Sequence, residues 1–123
     1  KDPVKPFNNY GLSKLGGECA VQMYKRSLIL RITMTEKPFL YDKAYTNLES
    51  NYMFHEDLVN ILPKIISKKG IINVGGDTQS VFNFAKKYNN KIIPIKLTKK
   101  NKLPLNQTMS LKKLKAIINK KKN

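Results

Sequence analysis

Two side chains near the amino end of the sequence have the types and the spacing to act on a carbonyl group. In YGLSK, at 10–14, Tyr10 and Lys14 are four residues apart, so on a helix they lie on one face about one turn apart. A free tyrosine has a pKa of about 10, and a neighbouring ammonium favours its phenolate. The pattern therefore predicts a tyrosine that exchanges a proton with a substrate, tuned by a lysine with donors left for sugar or ribose hydroxyls.

The segments next to this pair predict an α/β fold. Apolar residues recur at helical spacing from Tyr10 to about Arg26, while Gly16 and Gly17 weaken the helix and indicate that something packs closely there. The run SLILRIT at 27–33 is short, apolar and partly β-branched, as in a buried strand of a parallel sheet. A helix followed by a buried strand is typical of α/β proteins.

The remainder of the chain repeats this alternation. The segment 34–54 is aromatic and irregular, with a short strand expected near its end. After it the patterns predict a helix at 55–69 with Asp57 in its first turn, a strand and glycine turn at 70–77, and a helix at 78–90 with Thr78 or Ser80 near its start. An edge strand at 91–97 that contains Pro94 and a helix at 109–120 started by Ser110 follow.

Composition limits the function classes. The 123 residues suffice for one modest domain, and no apolar run approaches the roughly 18 residues that cross a bilayer. The single Cys19 cannot form an intramolecular disulfide, and the first residues lack the apolar core of a signal peptide, so we expect a cytoplasmic protein.

The formal charge of +16 raises the question of nucleic-acid binding. Of the 24 basic residues 22 are lysine, whereas base and phosphate recognition favours the arginine fork. The lysines are also scattered along the chain. We therefore expect no specific nucleic-acid partner, and a small basic nucleic-acid binder stays as an alternative whose affinity would fall steeply with salt.

The surroundings of Tyr10 and Lys14 resemble the active-site helix of the extended short-chain dehydrogenase/reductase family. YGLSKLGGE at 10–18, preceded by DPVKPFNN and followed by LILRIT, has the YG, SK and GE that this family often shows. YMFHEDLVNIL at 52–62 resembles the start of the helix after the family's substrate loop, and LPLNQTMSLKKLKAI at 103–117 resembles the C-terminal segment of its sugar-nucleotide members. Within the family the nearest resemblance is to dTDP-4-dehydrorhamnose reductases.

This resemblance implies the C-terminal part of a Rossmann-like NAD(P)-binding fold with a small substrate-binding subdomain. Residues 1–33 would end the dinucleotide-binding domain, and 34–123 would be mostly substrate-binding, with the strand 70–75 returning to the Rossmann sheet. Tyr10 would give a proton to the C4 oxygen of a keto-sugar nucleotide while NAD(P)H gives hydride. Lys14 would lower the tyrosine pKa and bind the nicotinamide ribose. The resemblance implies catalytic and cofactor-binding roles for both residues and a part in dTDP-rhamnose biosynthesis. No cluster of Cys, His or acidic residues in the sequence has the spacing of metal ligands, so we expect no metal site.

The sequence departs from the family pattern in one major respect. The glycine-rich dinucleotide loop is missing, and NVGGD at 73–77 lacks the G-x-G-x-x-G spacing. Because the sequence has no initial methionine, we interpret it as the C-terminal part of a longer enzyme. We expect the complete enzyme to form a homodimer. We expect this chain without the N-terminal half of its Rossmann domain to bind little NAD(P)H and to turn over negligibly. An epimerase or dehydratase and a non-catalytic sugar-nucleotide-binding or regulatory homologue are the alternatives.

Other polar and aromatic residues have structural interpretations. We expect Arg31 to form a structural ion pair, Glu18 to pair with Lys14 along the helix, and His55 to cap or pack. The aromatic residues at 39, 41, 45, 52 and 54 are assigned to core packing ahead of stacking on a nucleotide base.

Overall fold

The computed structural model describes residues 9–37, 41–98 and 106–119. Four helices and eight short strands alternate along them: α1 (Asn9–Val21), β1 (Leu28–Ile32), β2 (Met34–Thr35), β3 (Lys43–Tyr45), β4 (Glu49–Ser50), β5 (Met53–Phe54), α2 (His55–Ile65), β6 (Gly70–Val74), β7 (Gln79–Ser80), α3 (Val81–Lys86), β8 (Ile93–Ile95) and α4 (Lys112–Asn119). None of the helices in these ranges is long and apolar enough to cross a bilayer.

The two apolar runs predicted to be strands form a parallel pair. β1 and β6 run in register from Leu28 opposite Gly70 to Ile32 opposite Val74. Ile72 and Val74 on β6 are fully buried, whereas only Ile29 on β1 is buried. The prediction that β1 is buried on both faces is therefore wrong for the described chain, where β6 is the one strand paired with β1. The pairing nevertheless confirms a parallel sheet. The division of the chain at residue 33 stays a prediction.

Two apolar clusters hold the elements together. The first lies between β6 and the helices α2 and α4, where the buried side chains are those of Met53, Ile65, Ile72, Val74 and Leu114. The second lies between α3 and the parallel pair β3–β8, where they are those of Ala44, Leu48, Val81, Ala85, Ile92 and Leu97. Each of the three helices thus buries one apolar stripe, as its sequence period predicts.

Helix starts and edges follow the local chemistry. The Asp57 carboxylate accepts a hydrogen bond from the Phe54 amide at 3.1 Å, so it satisfies a donor at the start of α2. Ser80 caps α3 by accepting from the Asn83 amide at 3.0 Å. Pro94 lies in β8, which pairs with β3 alone among the described strands. α4 begins two residues after the predicted start at Ser110.

The irregular segment contains more strand than predicted. Its sequence predicts one short strand, and the structure has four pieces of two or three residues, β2 to β5. Two of the pieces, β2 and β5, pair with each other in parallel. The other two pair outside the segment, β3 in parallel with β8 and β4 antiparallel with β7. Strands this short carry no detectable alternation, so their pairing depends on contacts distant in sequence.

Glycines in the turn after β6 and in α1 have opposite surroundings. A Cβ added at Gly75 would lie 2.5 Å from the Asn51 carbonyl oxygen and 2.7 Å from Met109 Cε. One added at Gly16 or Gly17 meets nothing within 4 Å in the described chain. The prediction of close packing around Gly16 and Gly17 is therefore wrong within the described residues, none of which lies within 4 Å of a Cβ added at either glycine.

Alanine substitutions at these glycines are expected to have opposite effects. Gly75→Ala should lower the free energy of unfolding by about 1–3 kcal/mol, since the backbone of Asn51 cannot retreat easily. Gly16→Ala should raise it by up to about 1 kcal/mol, because alanine is the better helix former. Chemical denaturation of the two variants beside the unmodified chain measures both. Equal effects at the two positions would contradict the packing described.

Candidate functional site

The α1 helix carries the tyrosine and lysine singled out in the sequence. The backbone of Tyr10 lies in the first turn, and Lys14 follows one turn later with an exposed side chain. The Tyr10 side chain lies outside what the structure describes. The shared face of Tyr10 and Lys14 therefore stays a prediction from their spacing.

A groove runs between α1 and β1 beside Lys14. It has a volume of about 530 Å³, and Lys14 and Glu18 line one side while Leu28 and Ile29 line the other. The lysine thus stands next to an open space bordered by the first strand of the parallel sheet. Lys14 is placed where its ammonium can reach a ligand in this groove.

A bidentate ion pair connects α1 to β1. Arg31 donates from Nε to Glu18 Oε2 at 2.9 Å and from Nη2 to Glu18 Oε1 at 2.7 Å. The hydrogen bonds to Glu18 raise the pKa of Arg31 above its ordinary value, so the guanidinium stays charged. The predicted structural role of Arg31 is confirmed. The sequence predicted a partner for Glu18 at Lys14, along the helix, whereas this bidentate partner lies on the adjacent strand.

A second cavity, the tyrosine pocket, has a volume of about 630 Å³. Its wall includes Tyr41, Tyr45 and Tyr52 from the irregular segment, Thr35 from β2, Leu48, and Gln107 from the segment before α4. Apolar side chains and phenol rings dominate the wall, and Thr35 and Gln107 add hydrogen-bonding groups. Asp42 and Lys43 also line it and contribute one charge of each sign. Such a cavity suits a flat ring that carries polar substituents.

The aromatic residues divide between core and cavity. Phe54 is buried and packs its ring against Phe84 at 5.0 Å and Tyr88 at 4.6 Å between centroids. Tyr52 contacts Phe84 as well, at 5.9 Å, and burial raises the pKa of its hydroxyl, with a further contribution from Tyr41. Core packing is confirmed for Phe54, and also for Tyr45 and Tyr52, which pack against the apolar cluster beside α3 while they line the pocket. Tyr41 lines the pocket and is exposed. Phe39 lies outside the described residues.

A buried asparagine that no sequence pattern singles out supports the pocket wall. Asn51 is fully buried and its amide donates to the Gly76 carbonyl at 3.0 Å and to the Thr78 hydroxyl at 2.8 Å. Its side-chain oxygen accepts from the Met109 amide at 2.9 Å. The Asn51 side chain therefore holds the segment with Gln107 against the turn after β6.

The two glycines of the turn after β6 are explained by packing within the protein. A glycine loop for a dinucleotide pyrophosphate must leave its backbone open to the ligand. Cβ atoms added at Gly75 and Gly76 would instead meet the carbonyl oxygens of Asn51 and Tyr52, each at 2.5 Å. The lack of a side chain at Gly75 and Gly76 thus lets the turn pack against Asn51 and Tyr52, and this packing accounts for both glycines without a pyrophosphate.

The single histidine adds nothing to the candidate site. His55 is the first residue of α2 and exposed, and the N-cap position belongs to Phe54, so the predicted capping or packing role is not what the structure shows. In the ranges that the structure describes, no three His, Cys, Asp or Glu side chains come together as metal ligands.

Solved structures with similar folds give the chain its context. No protein-family model matches the sequence, and no curated protein matches it either. In structure, the chain is similar to a dTDP-4-dehydrorhamnose reductase from Bacillus anthracis in complex with NADP, with 21% identity, a TM-score of 0.74, and coverage of 94% of this chain and 50% of that one. It is similar to a hypothetical dTDP-4-dehydrorhamnose reductase from Sulfolobus tokodaii, with 22% identity, a TM-score of 0.77, and coverage of 95% and 50%.

A weaker likeness extends to an epimerase. The UDP-glucuronic acid 4-epimerase from Bacillus cereus in complex with NAD matches with 16% identity, a TM-score of 0.59, and coverage of 96% of this chain and 45% of that one. The chain thus spans about half the length of these structures. Identities this low show the fold alone. The chain has an α/β fold that matches half of a Rossmann-like NAD(P)-binding structure of the sugar-nucleotide reductase and epimerase type, as its sequence predicted.

Proposed function

We propose that this chain forms the substrate side of an NAD(P)-dependent sugar-nucleotide reductase of the dTDP-4-dehydrorhamnose reductase type. The observation that carries the proposal is the tyrosine–lysine helix α1, which leads directly into a parallel strand in a fold shared with an NADP-bound reductase. The fold is more similar to the two reductases, with TM-scores of 0.74 and 0.77, than to the epimerase, with 0.59, so reduction is the first reaction to test and epimerisation the second.

In this proposal Tyr10 and Lys14 share the acid–base work. Bound NAD(P)H supplies hydride to the carbonyl carbon at C4 of the sugar. Tyr10 gives its phenolic proton to the carbonyl oxygen as negative charge develops there. The Lys14 ammonium stabilises the phenolate that remains and donates a hydrogen bond to the nicotinamide ribose. The exposed position of Lys14 beside the groove supports the ribose contact.

The rest of the dinucleotide needs residues beyond those described. Gly75 and Gly76, after β6, pack against Asn51 and Tyr52 and lack the G-x-G-x-x-G spacing of a pyrophosphate loop. The exposed face of α1 and the one-sided pairing of β1 are consistent with a further segment there. We therefore include in the proposal a dinucleotide-binding segment, in the same polypeptide or another, that packs beside α1 and β1 and holds the pyrophosphate.

The tyrosine pocket is proposed to hold the nucleotide end of the substrate. A pyrimidine ring stacked on a phenol would gain about 1–3 kcal/mol, and Thr35 and Gln107 offer donors and acceptors to its edge. Base binding there needs no dinucleotide, so it can be tested on this chain as it is.

Tyr41→Ala is expected to weaken the binding of dTDP or UDP about 5–100-fold, since it removes a stacking surface from the pocket wall. Tyr41 is 67% exposed, so the fold should tolerate the change. Tyr24→Ala is the matched control, because Tyr24 is 77% exposed and lies outside the pocket. Isothermal titration with dTDP, UDP and inorganic pyrophosphate gives the affinities. Equal binding of pyrophosphate and dTDP would show attraction of charge alone and contradict the assignment of the pocket.

A further inference from the structure

The α1 helix is weakly packed against the rest of the described chain. Leu12 and Val21 are 56% and 42% exposed, and Gly16 and Gly17 face open space. A 13-residue helix gains most of its stability from burying an apolar face. Since α1 buries little, its position relative to the sheet must depend on specific contacts.

The Glu18–Arg31 pair has the geometry for such a contact. Its two parallel hydrogen bonds, at 2.7 and 2.9 Å, fix the rotation of the helix as well as its distance from β1. The side chains are only 17% and 27% exposed, so water screens the pair less than a surface ion pair. A partly buried bidentate arginine–carboxylate pair is expected to hold α1 against β1 more strongly than a solvent-exposed ion pair would.

The pair also lies on the helical face that matters for the proposed chemistry. Glu18 follows Lys14 by four residues and Tyr10 by eight, so the three lie along one side of α1. Lys14 and Glu18 line the same groove. Because the Glu18–Arg31 pair is made from this side of α1, it sets the direction in which the side with Tyr10 and Lys14 faces.

We propose that Glu18 and Arg31 are positioning residues that hold α1 on β1 so that Tyr10 and Lys14 face the reacting carbonyl. The link to catalysis rests on the proposed function. The attachment of α1 to β1 by Glu18 and Arg31, here called the tether, does not. Loss of the pair would leave the helix formed but free to rotate and shift. A misplacement of about 1 Å between reacting groups costs about 10²-fold in rate.

The tether can be measured on the chain without any cofactor. Cys19 is the single cysteine and is exposed on α1, and Lys64→Cys adds an exposed site on α2 for a second spin label. Pulsed electron paramagnetic resonance is expected to give one narrow distribution of distances between the two spin labels. Glu18→Gln and Arg31→Gln should each broaden it at least about twofold, and Glu18→Arg combined with Arg31→Glu should narrow it again, because the swap restores an opposite-charge pair.

Controls separate the tether from general unfolding and from the proposed function. Glu56→Gln removes the exposed 3.8 Å pair with Lys37 and should leave the distribution unchanged. Binding of dTDP in the tyrosine pocket should survive Glu18→Gln. An unchanged distribution in Glu18→Gln would overturn the tether.

The catalytic link has its own readout in the protein that includes the dinucleotide-binding segment. There Glu18→Gln should lower kcat about 10–100-fold with KM for the nucleotide sugar unchanged, and the charge swap should recover part of it. Unaltered kcat beside a broadened distribution would overturn the link to catalysis. Absence of turnover in the unmodified protein would count against the proposed function, and the distance distributions would still decide whether the pair fixes α1.

Discussion

Replacing Tyr10 by phenylalanine is expected to lower the reduction of a 4-keto-sugar nucleotide about 10²–10⁴-fold, the usual contribution of a general acid. The phenyl ring keeps the volume of the side chain but has no proton to give, so the oxyanion that forms at C4 is left without its donor. Lys14→Met is expected to lower the rate as well, because the phenolate then forms without a neighbouring ammonium. Lys14→Arg keeps the charge but not the compact ammonium, and it should recover little.

The measurement needs the chain together with a dinucleotide-binding segment. Consumption of NADPH is followed with a keto-sugar nucleotide, and Tyr24→Phe serves as the control because Tyr24 is exposed in the turn after α1. The affinity for the nucleotide sugar should hold in Tyr10→Phe, since the tyrosine pocket is untouched. Full activity in Tyr10→Phe would remove Tyr10 as the proton donor. Sugar conversion without stoichiometric NADPH consumption would indicate an epimerase, and binding without any conversion would indicate a regulatory homologue.

The fold was predictable where single segments carry their own signal. LILRI and GIINV are short, apolar and partly β-branched, and both form strands of one parallel pair. Ser80 and Asp57 started helices because hydroxyl and carboxylate oxygens satisfy amides at a helix start. These features are local, so the sequence alone determines them.

The candidate site was predictable only in part, because much of it is assembled from distant residues. The tyrosine–lysine spacing is a local signal, but the bond between Glu18 and Arg31 spans a turn between helix and strand. Thr35 and Gln107 both line the tyrosine pocket although they are over seventy residues apart in the sequence. No pattern in either segment predicts that the two come together. Asn51 stands in SNYMF without a pattern that separates it from the other asparagines. A polar residue just before an apolar strand is the one signal that could have drawn attention to it.

The buried Asn51 is expected to be the most sensitive polar position of the chain. Asn51→Ala removes three side-chain hydrogen bonds, to Gly76, Thr78 and Met109. A buried donor or acceptor left without a partner costs about 1–3 kcal/mol. The Thr78 side chain is exposed and can turn to water, so the sum should fall near 3–5 kcal/mol, a large part of the stability of a small domain.

The loss at Asn51 should also reach the tyrosine pocket. Met109 is held by the Asn51 oxygen, and two residues earlier the Gln107 amide donates to the Glu49 carbonyl at 2.9 Å. Without Asn51, one of these two attachments of the pocket wall is gone. We therefore expect the variant to bind dTDP more weakly even at temperatures where it is folded.

Two variants separate the hydrogen bonds from the volume of the side chain. Asn51→Asp has nearly the same shape but cannot donate, so the carboxylate would face the Gly76 carbonyl without a proton between them, and it should destabilise about as much as alanine. Asn47→Ala is the matched control, because Asn47 also bridges distant segments, with two hydrogen bonds to Leu97, but it is exposed. Water can replace its bonds, so its cost should stay near 1 kcal/mol. Denaturant unfolding of the three variants gives the comparison, and an Asn51→Ala protein as stable as Asn47→Ala would mean that the buried amide is not what joins the turn after β6 to the pocket wall.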